Sequence, residues 1–431
     1  MTFNKQLFTN VLWRGVYYLT IFMLNIVIAR SYEAAQSGWI NYISNNFAFV
    51  LLFGSMSFDV AILYFGAAQK ISIRKLTSFA LLWSVLVSIL FAITVHMYID
   101  KNAMIQSKGL LKFAAINYFV GIIITNFFFN LFIIKEQILI PNVLLAAINV
   151  ILICLVPNTF LYCTWFDGET YLYFYYLAFS LQGIVLVIAY LIQQGNIVMK
   201  LPNRQELLQL CKYAGVAFAG NLIFFLVYRV DYWLLNYYQH NALALGNYIQ
   251  ASKLGQMLLI FSMVVSSTVF PQTASGQVEV VIHKLLTIIR NFIMLFILLF
   301  IVLLVLGSGS MTWVFGPSFY LMYKPLLYLL PGILCLNILS ILSAYFGGIN
   351  RTMVNVKGAL LGLIVIIVLD VIYIKHYGII AAAIISSIGY AVAMLYAIIC
   401  FHKLHAIKWQ QLLVVRISDF KWIPNLIKNI R

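Results

Sequence analysis

The sequence predicts an all-α polytopic membrane protein with about twelve transmembrane helices in two six-helix lobes and both ends on the cytoplasmic side. Three observations predict it. Apolar residues make up 64% of 431 and charged residues 9%, against about 25% charged in a soluble domain. Too few charges remain to coat a water-soluble surface, whereas a bilayer core is itself apolar. Apolar runs of about 20 residues, enough to cross a hydrocarbon core of about 30 Å, recur along the whole chain. Their apolar character is continuous rather than alternating, which excludes barrel strands and leaves helices. Lys and Arg supply the third observation, because they divide unevenly between alternate loops.

The runs place spans at residues 9–29, 39–65, 76–97, 110–134, 138–157, 171–193, 211–237, 246–270, 285–306, 326–347, 355–374 and 379–402. Nothing in the first run resembles a cleavable signal, so it counts as a span. Lys253, Gln250 and Gln256 interrupt the eighth. With the N-terminus inside, nineteen Lys and Arg fall on the inner side and six on the outer. Arg229 and Lys253 fall within spans. A missed or extra span would reverse every later loop and weaken that bias. The net charge of +16 is therefore a topology signal with an affinity for anionic lipid heads. The basic residues are scattered over short loops, so nucleic acid is not an expected partner.

The connections are too short for a separate catalytic domain, so function belongs to the membrane or its faces. The polar stretch 194–210 divides the chain, giving an N-terminal lobe 1–198 and a C-terminal lobe 199–402. Residues 403–431 form a basic tail in which Trp409, Leu412, Ile417 and Trp422 alternate with Lys and Arg, suited to lying on the inner leaflet. Tyr171 to Tyr176 fit an interfacial aromatic belt. The five cysteines lack metal or redox spacing and read as small apolar core residues. No GxxxxGK[ST], HExxH or GxSxG occurs, and the histidines show no ligand spacing. Neither an enzyme, a cofactor nor a metal site is expected.

Each lobe opens with a similar pattern: a short outer loop, a glycine and an aromatic-rich helix start, at Gly38-Trp39-Ile40-Asn41-Tyr42 and Gly246-Asn247-Tyr248-Ile249-Gln250. Together with Trp13-Arg14-Gly15, Ala29-Arg30, Tyr228-Arg229-Val230-Asp231 and Phe270-Pro271-Gln272, these residues make the chain similar to a known family. It resembles the oligosaccharide (O-antigen, Wzx-type) flippases of the multidrug/oligosaccharidyl-lipid/polysaccharide exporter (MOP) superfamily, over essentially the whole span pattern. The resemblance implies a MATE-like fold of two six-helix lobes around a cavity lined by spans 1, 2, 7 and 8. It also implies translocation of a polyprenyl-pyrophosphate-linked oligosaccharide across a bacterial inner membrane by ion-coupled alternating access. The expected partners are that substrate, membrane lipids and other polysaccharide-pathway proteins, with the chain itself a monomer.

Charges inside a membrane are costly and need a reason. Arg229 sits near the middle of span 7. Asp231, two residues on, faces nearly the opposite side, at a depth matching Lys253 on span 8, which predicts an Asp231–Lys253 pair. Arg229 is then left for the substrate pyrophosphate, whose oxygens a guanidinium fork fits. The competing readings are an arginine held by carbonyls at a helix break or paired with Asp59. Arg14 and Arg30 are further phosphate contacts, although Arg14 also lies close enough to the inner face to snorkel. Asn25, Asn41, Asn45, Gln250 and Lys253 lie on helix faces suited to sugar hydroxyls, or equally to bonding between helices. Asp59 and Asp231 are the ion-coupling candidates, and Asp370 reads as interfacial. Two other functions compete. A multidrug-type exporter would favour acidic rather than basic central charges. A membrane polymerase or acyltransferase needs an outer loop or a His/Asp pair that the sequence lacks.

Overall fold

The computed structural model describes residues 3–101, 108–156, 167–194, 200–274 and 278–405. Among these every regular element is helical: α1 (Phe3–Ser55), α2 (Phe58–Ala67), α3 (Ile73–Lys101), α4 (Lys108–Ile134), α5 (Leu139–Leu155), α6 (Gly168–Gln194), α7 (Arg204–Gln239), α8 (Ala242–Met257), α9 (Leu259–Ala274), α10 (Val278–Leu306), α11 (Gly309–Phe315), α12 (Tyr323–Gly348) and α13 (Met353–His405). The expected tail beyond His405 lies outside the described residues.

Among the described residues, nine helical runs are long and apolar enough to cross a membrane. Two are too long to cross once. Leu12–Ser55 has 44 residues and Met353–His405 has 53, about 66 and 80 Å of helix against a core of about 30 Å. Each contains one residue in the left-handed region, Glu33 (φ 58, ψ 178) and Gly378 (φ 56, ψ −136). Glycine reaches that conformation freely, whereas a glutamate there costs on the order of 1–3 kcal/mol. Divided at these kinks, the nine runs become eleven. The 17-residue α5, about 25 Å long, is the twelfth. Every predicted span therefore coincides with a helix, half of a kinked helix or a broken helix pair.

The chain forms two compact units. Unit 1 comprises Met1–Glu33 and Ile40–Leu222, and unit 2 comprises Ala34–Trp39 and Ile223–Arg431. Phe119, Ile123, Phe127, Phe128 and Phe132 of α4 pack in unit 1 with Phe58 and Phe65 of α2 and Tyr190 of α6. Helices α4 and α6 approach closely because Gly121 and Gly183 face one another. A Cβ on Gly121 would collide with the Phe179 carbonyl, and one on Gly183 would lie 3.0 Å from the Gly121 oxygen. Small residues at such contacts supply the packing that lipid cannot. Tyr171 and Tyr176 are fully buried here, which corrects their reading as an interfacial belt. Tyr171 donates to the Leu152 carbonyl at 3.4 Å. Cys154 and Cys211 are exposed rather than core residues.

The second span is broken. Met56 (φ 45) and Ser57 (φ 56) are left-handed and separate α1 from α2. Side chains take up part of the freed backbone: Trp83 Nε1 donates to the Gly54 carbonyl at 3.0 Å, and Ser55 Oγ accepts from the Ser57 amide at 3.3 Å; Asn221 Nδ2 donates to Ser57 Oγ at 3.0 Å. Where α7 begins, Asn203 and Glu206 form a reciprocal cap: the Glu206 amide donates to Asn203 Oδ1 at 2.8 Å and the Asn203 amide to Glu206 Oε2 at 2.7 Å. Lys75 completes it with an ion pair to Glu206 at 2.8 Å.

Unit 2 packs α12 against both halves of α13, with Leu336, Ile341, Leu342 and Phe346 among its core residues. Leu258 interrupts the eighth span between α8 and α9, just beyond the polar residues that break its apolar pattern.

Candidate functional site

The most developed polar cluster lies inside unit 2 and centres on Asp231 of α7, which is 1% exposed. One carboxylate oxygen accepts from the Tyr232 amide at 2.9 Å. The other accepts from the Tyr248 hydroxyl of α8 and from Ser386 Oγ of α13 at 3.1 Å. Three helices thus converge on one carboxylate. Lys253 is not among its partners, so the predicted Asp231–Lys253 pair is not formed. The physical reason is that Tyr248, one and a half turns before Lys253 on the same helix, already occupies Asp231 together with Ser386.

Asp370 of α13 is the second acid of the cluster. It is 0% exposed, and neither of its carboxylate oxygens has a hydrogen-bond partner among the described residues. It repels Asp231 electrostatically. Its place near the end of a sequence span suggested an interfacial residue, but the packing of α13 encloses it completely. Nearby on α8, Gln250 Oε1 and Asn247 Oδ1 are also buried without a hydrogen-bond partner. Asn247 Nδ2 donates to the Leu243 and Ser318 carbonyls at 2.9 and 3.0 Å.

Arg229, two residues earlier on α7, lies within electrostatic reach of Asp231. Its guanidinium donates to the Tyr232 hydroxyl at 2.6 Å and lies 5.1 Å from that ring's centroid. It stands within electrostatic reach of Lys253, which it repels. Both side chains are half-buried. The interior of unit 2 thus holds two neighbouring basic residues, Arg229 and Lys253, and two neighbouring carboxylates, Asp231 and Asp370.

The remaining predicted residues lie in unit 1. Arg14 is exposed and its guanidinium sits over the Phe129 ring at 5.3 Å and the Tyr18 ring at 5.9 Å. Asn25 Nδ2 donates to the Ile21 carbonyl one turn back at 2.8 Å. Arg30 is half-buried. Asn41 and Asn45 are each 7% exposed, and the Asn45 amide nitrogen has no partner among the described residues. Asp59 is half-buried in the first turn of α2, where the helix dipole favours a carboxylate, and its carbonyl accepts from Asn130 at 3.0 Å. Among the described residues no group of three metal-binding side chains is gathered. Tyr248, Ser386 and Asp370 are the members of the unit 2 cluster that sequence reasoning missed. The one available signal was Asp370 itself, an acid inside an apolar run.

Neither a scan of family models nor a search of curated proteins found a match. Solved structures do match. The lipid II flippase MurJ in its inward closed conformation superimposes with a TM-score of 0.69 at 13% identity, over 95% of this chain and 89% of that one. An inward-facing multidrug resistance MATE family transporter of the MOP superfamily gives 0.68 at 14% identity, over 91% and 96%. The MATE transporter VcmN of Vibrio cholerae in its bent form gives 0.64 at 15%, over 93% and 96%. At these identities the likeness concerns fold. The chain is an all-helical, multi-pass membrane protein with the fold shared by a lipid II flippase and the MATE transporters of the MOP superfamily.

Proposed function

We propose that this protein is a flippase moving a polyprenyl-pyrophosphate-linked oligosaccharide across a bacterial inner membrane by ion-coupled alternating access. The observation that carries the reading is the half-buried guanidinium of Arg229, with the basic side chain of Lys253 within its electrostatic reach. Holding like charges together in a low-dielectric interior costs free energy that a bound anion offsets. A pyrophosphate supplies the charge, and a guanidinium fork matches its oxygens. This arrangement suits an anionic substrate better than the cationic compounds of a multidrug-type exporter.

Ion coupling is assigned to the acids. Asp231 and Asp370 are enclosed together without a cation within ion-pair distance among the described residues. Two buried carboxylates near each other cannot both stay ionised cheaply, so a proton or a monovalent cation accompanies them. Tyr248 and Ser386 set the orientation of Asp231, and Asp59 at the broken second span is a further coupling group. Arg14 and Arg30 serve as secondary phosphate contacts, with Asn25, Asn41, Asn45 and Gln250 meeting sugar hydroxyls. The lobes 1–198 and 199–402 are the bodies that move, and the protein acts as a monomer with N- and C-termini inside.

The test is a complementation assay in a strain lacking this protein, reading lipid-linked sugar on each membrane face. The wild type moves the sugar outward. Arg229→Ala, expressed to the same level, is expected to trap it inside and to cut transport by about 100-fold, the roughly 3 kcal/mol of a charge-assisted contact. Normal outward transport by that variant overturns the reading, as does efflux of a cationic dye without any movement of lipid-linked sugar.

A further inference from the structure

Unit 1 carries a cleft of about 620 Å³ between the second half of α1, α3 and α4. Phe47, Val50, Phe53, Leu90, Phe91 and Phe119 are among its wall residues, and no charged side chain lines it. The polar side chains in the wall are Asn46, Thr94 and Tyr98, and the Thr94 hydroxyl is spent on the Leu90 carbonyl at 2.7 Å. The wall follows α3 from Val87 to Ile99 and α1 from Ile43 to Gly54, which is about 16–18 Å along each helix. That length is close to one leaflet of a hydrocarbon core about 30 Å thick. The cleft opens sideways: Val50, Phe53 and Leu90 are 42%, 48% and 56% exposed.

Its two ends differ. At the deep end Gly54 keeps the cleft open, since a Cβ there would press to 3.1 Å on Val87 Cγ1 and to 3.0 Å on Phe119 Cε2. At the other end Leu111 belongs to the wall, and Lys108 and Lys112 flank it in the first turns of α4. Lys112 Nζ lies 3.4 Å from His96 Nδ1 of α3. An apolar channel one leaflet deep with cations at its membrane-face end has the polarity of an anionic lipid.

We propose that this cleft holds the isoprenoid tail of a phosphate-bearing polyprenyl lipid, with the phosphate held at Lys108 and Lys112. The inference rests on the lipid-linked substrate proposed above and extends it to a second site, for the tail rather than the head. A single elongated cleft takes one chain. A polyprenyl lipid presents one, whereas a glycerophospholipid presents two. The methyl branches of an isoprenoid also fit a wall studded with aromatic rings.

The experiment uses the full chain reconstituted in phosphatidylcholine nanodiscs with a photoactivatable polyprenyl phosphate, and adducts are mapped to peptides. Expected adducts fall on residues 43–54, 87–99 and 111–119. Unlabelled polyprenyl phosphate should displace them, and equal phosphatidylglycerol should not. Leu90→Trp fills the open side and should weaken displacement about tenfold. Ile184→Trp, an equally exposed position on α6, should leave it unchanged. Lys112→Gln should weaken the phosphate ligand while leaving the uncharged polyprenol unaffected. Should Leu90→Trp melt below the wild type, Val50→Trp is read in its place. Equal displacement by phosphatidylglycerol, adducts spread over other helices, or labelling indifferent to the filling substitution each overturn the proposal. Labelling in the cleft without any flipping of polyprenyl-linked sugar removes the transport reading and keeps the tail site. Flipping with adducts elsewhere removes the tail site alone.

Discussion

Replacing Asp370 with Leu should make the protein more stable and inactive. Asp370 is 0% exposed and its two carboxylate oxygens have no hydrogen-bond partner among the described residues. A buried polar group without a partner costs about 1–3 kcal/mol, so the two oxygens together cost roughly 2–6 kcal/mol, before the repulsion from Asp231 is counted. Leucine removes that cost and replaces the two oxygens with bulkier methyl groups, whose packing strain takes back about 1–3 kcal/mol. A net gain of about 1–3 kcal/mol follows. At about 2–4 °C per kcal/mol for a cooperative unit of about 150–250 residues, Tm should rise by roughly 2–12 °C. The assay is tryptophan-fluorescence melting of the detergent-purified protein, run beside the sugar-accumulation assay. Asp370→Asn is the informative companion. It removes the charge and keeps two polar groups, so it should gain less Tm and lose transport equally. A lower Tm for the leucine variant would mean that Asp370 is satisfied in the native state. Full transport at a raised Tm would remove the acid from the coupling machinery.

Three further substitutions test the scaffold. Gly121→Val should drive α4 from α6, because its side chain would meet the Phe179 carbonyl; a loss above about 3 kcal/mol should appear as a collapse of folded protein in the membrane fraction, and a normal melt would contradict the close-packed seam. Asn203→Ala should cost about 1 kcal/mol by opening the reciprocal cap with Glu206, whereas Lys75→Ala should cost less than about 1 kcal/mol because its ion pair is partly exposed. Chemical denaturation in detergent should rank the two in that order.

The spans were legible because lipid leaves the backbone one economical solution, and twenty apolar residues announce it. Even the irregularities left traces: Lys253 and two glutamines marked the run that breaks into α8 and α9, and two of the few acids marked span 7 and the broken span 2. Partners were far less legible. Asp231 and Lys253 matched in depth on adjacent spans, yet depth does not fix rotation. Tyr248 won the carboxylate because its hydroxyl reaches it from a rotation that one sequence does not reveal. Tyr171 and Tyr176 failed for the converse reason. An aromatic run near a span end looks interfacial until neighbouring helices enclose it, as α1 and α5 enclose Tyr171 and Ser44 and Phe47 of α1 meet Tyr176. Asp370 was misread because the end of a span is defined along the helix, whereas burial is defined across it.

Arg229 and Asp231 share one turn of α7, and this gives the proposed ion and substrate sites a definite thermodynamic relation. Tyr232 stands between them, accepting from Arg229 through its hydroxyl and donating to Asp231 through its amide. The acids and the cations attract one another, so each acid charge competes with phosphate for Arg229. Neutralising the Asp231–Asp370 pair with a cation removes that competition and strengthens phosphate binding. For unit charges on the order of 8–10 Å apart at an effective dielectric of about 20, the coupling is about 2 kcal/mol, and partial solvent screening brings it to roughly tenfold in affinity. Because such coupling is reciprocal, phosphate must strengthen cation binding by the same factor. Binding of polyprenyl phosphate to the purified protein, compared in sodium and in choline at equal ionic strength and then across pH, should show the gain with one of the two cations. It should vanish in Asp231→Asn. An affinity that falls when the cation is supplied would reverse the sign of the argument and separate the acids from the substrate site.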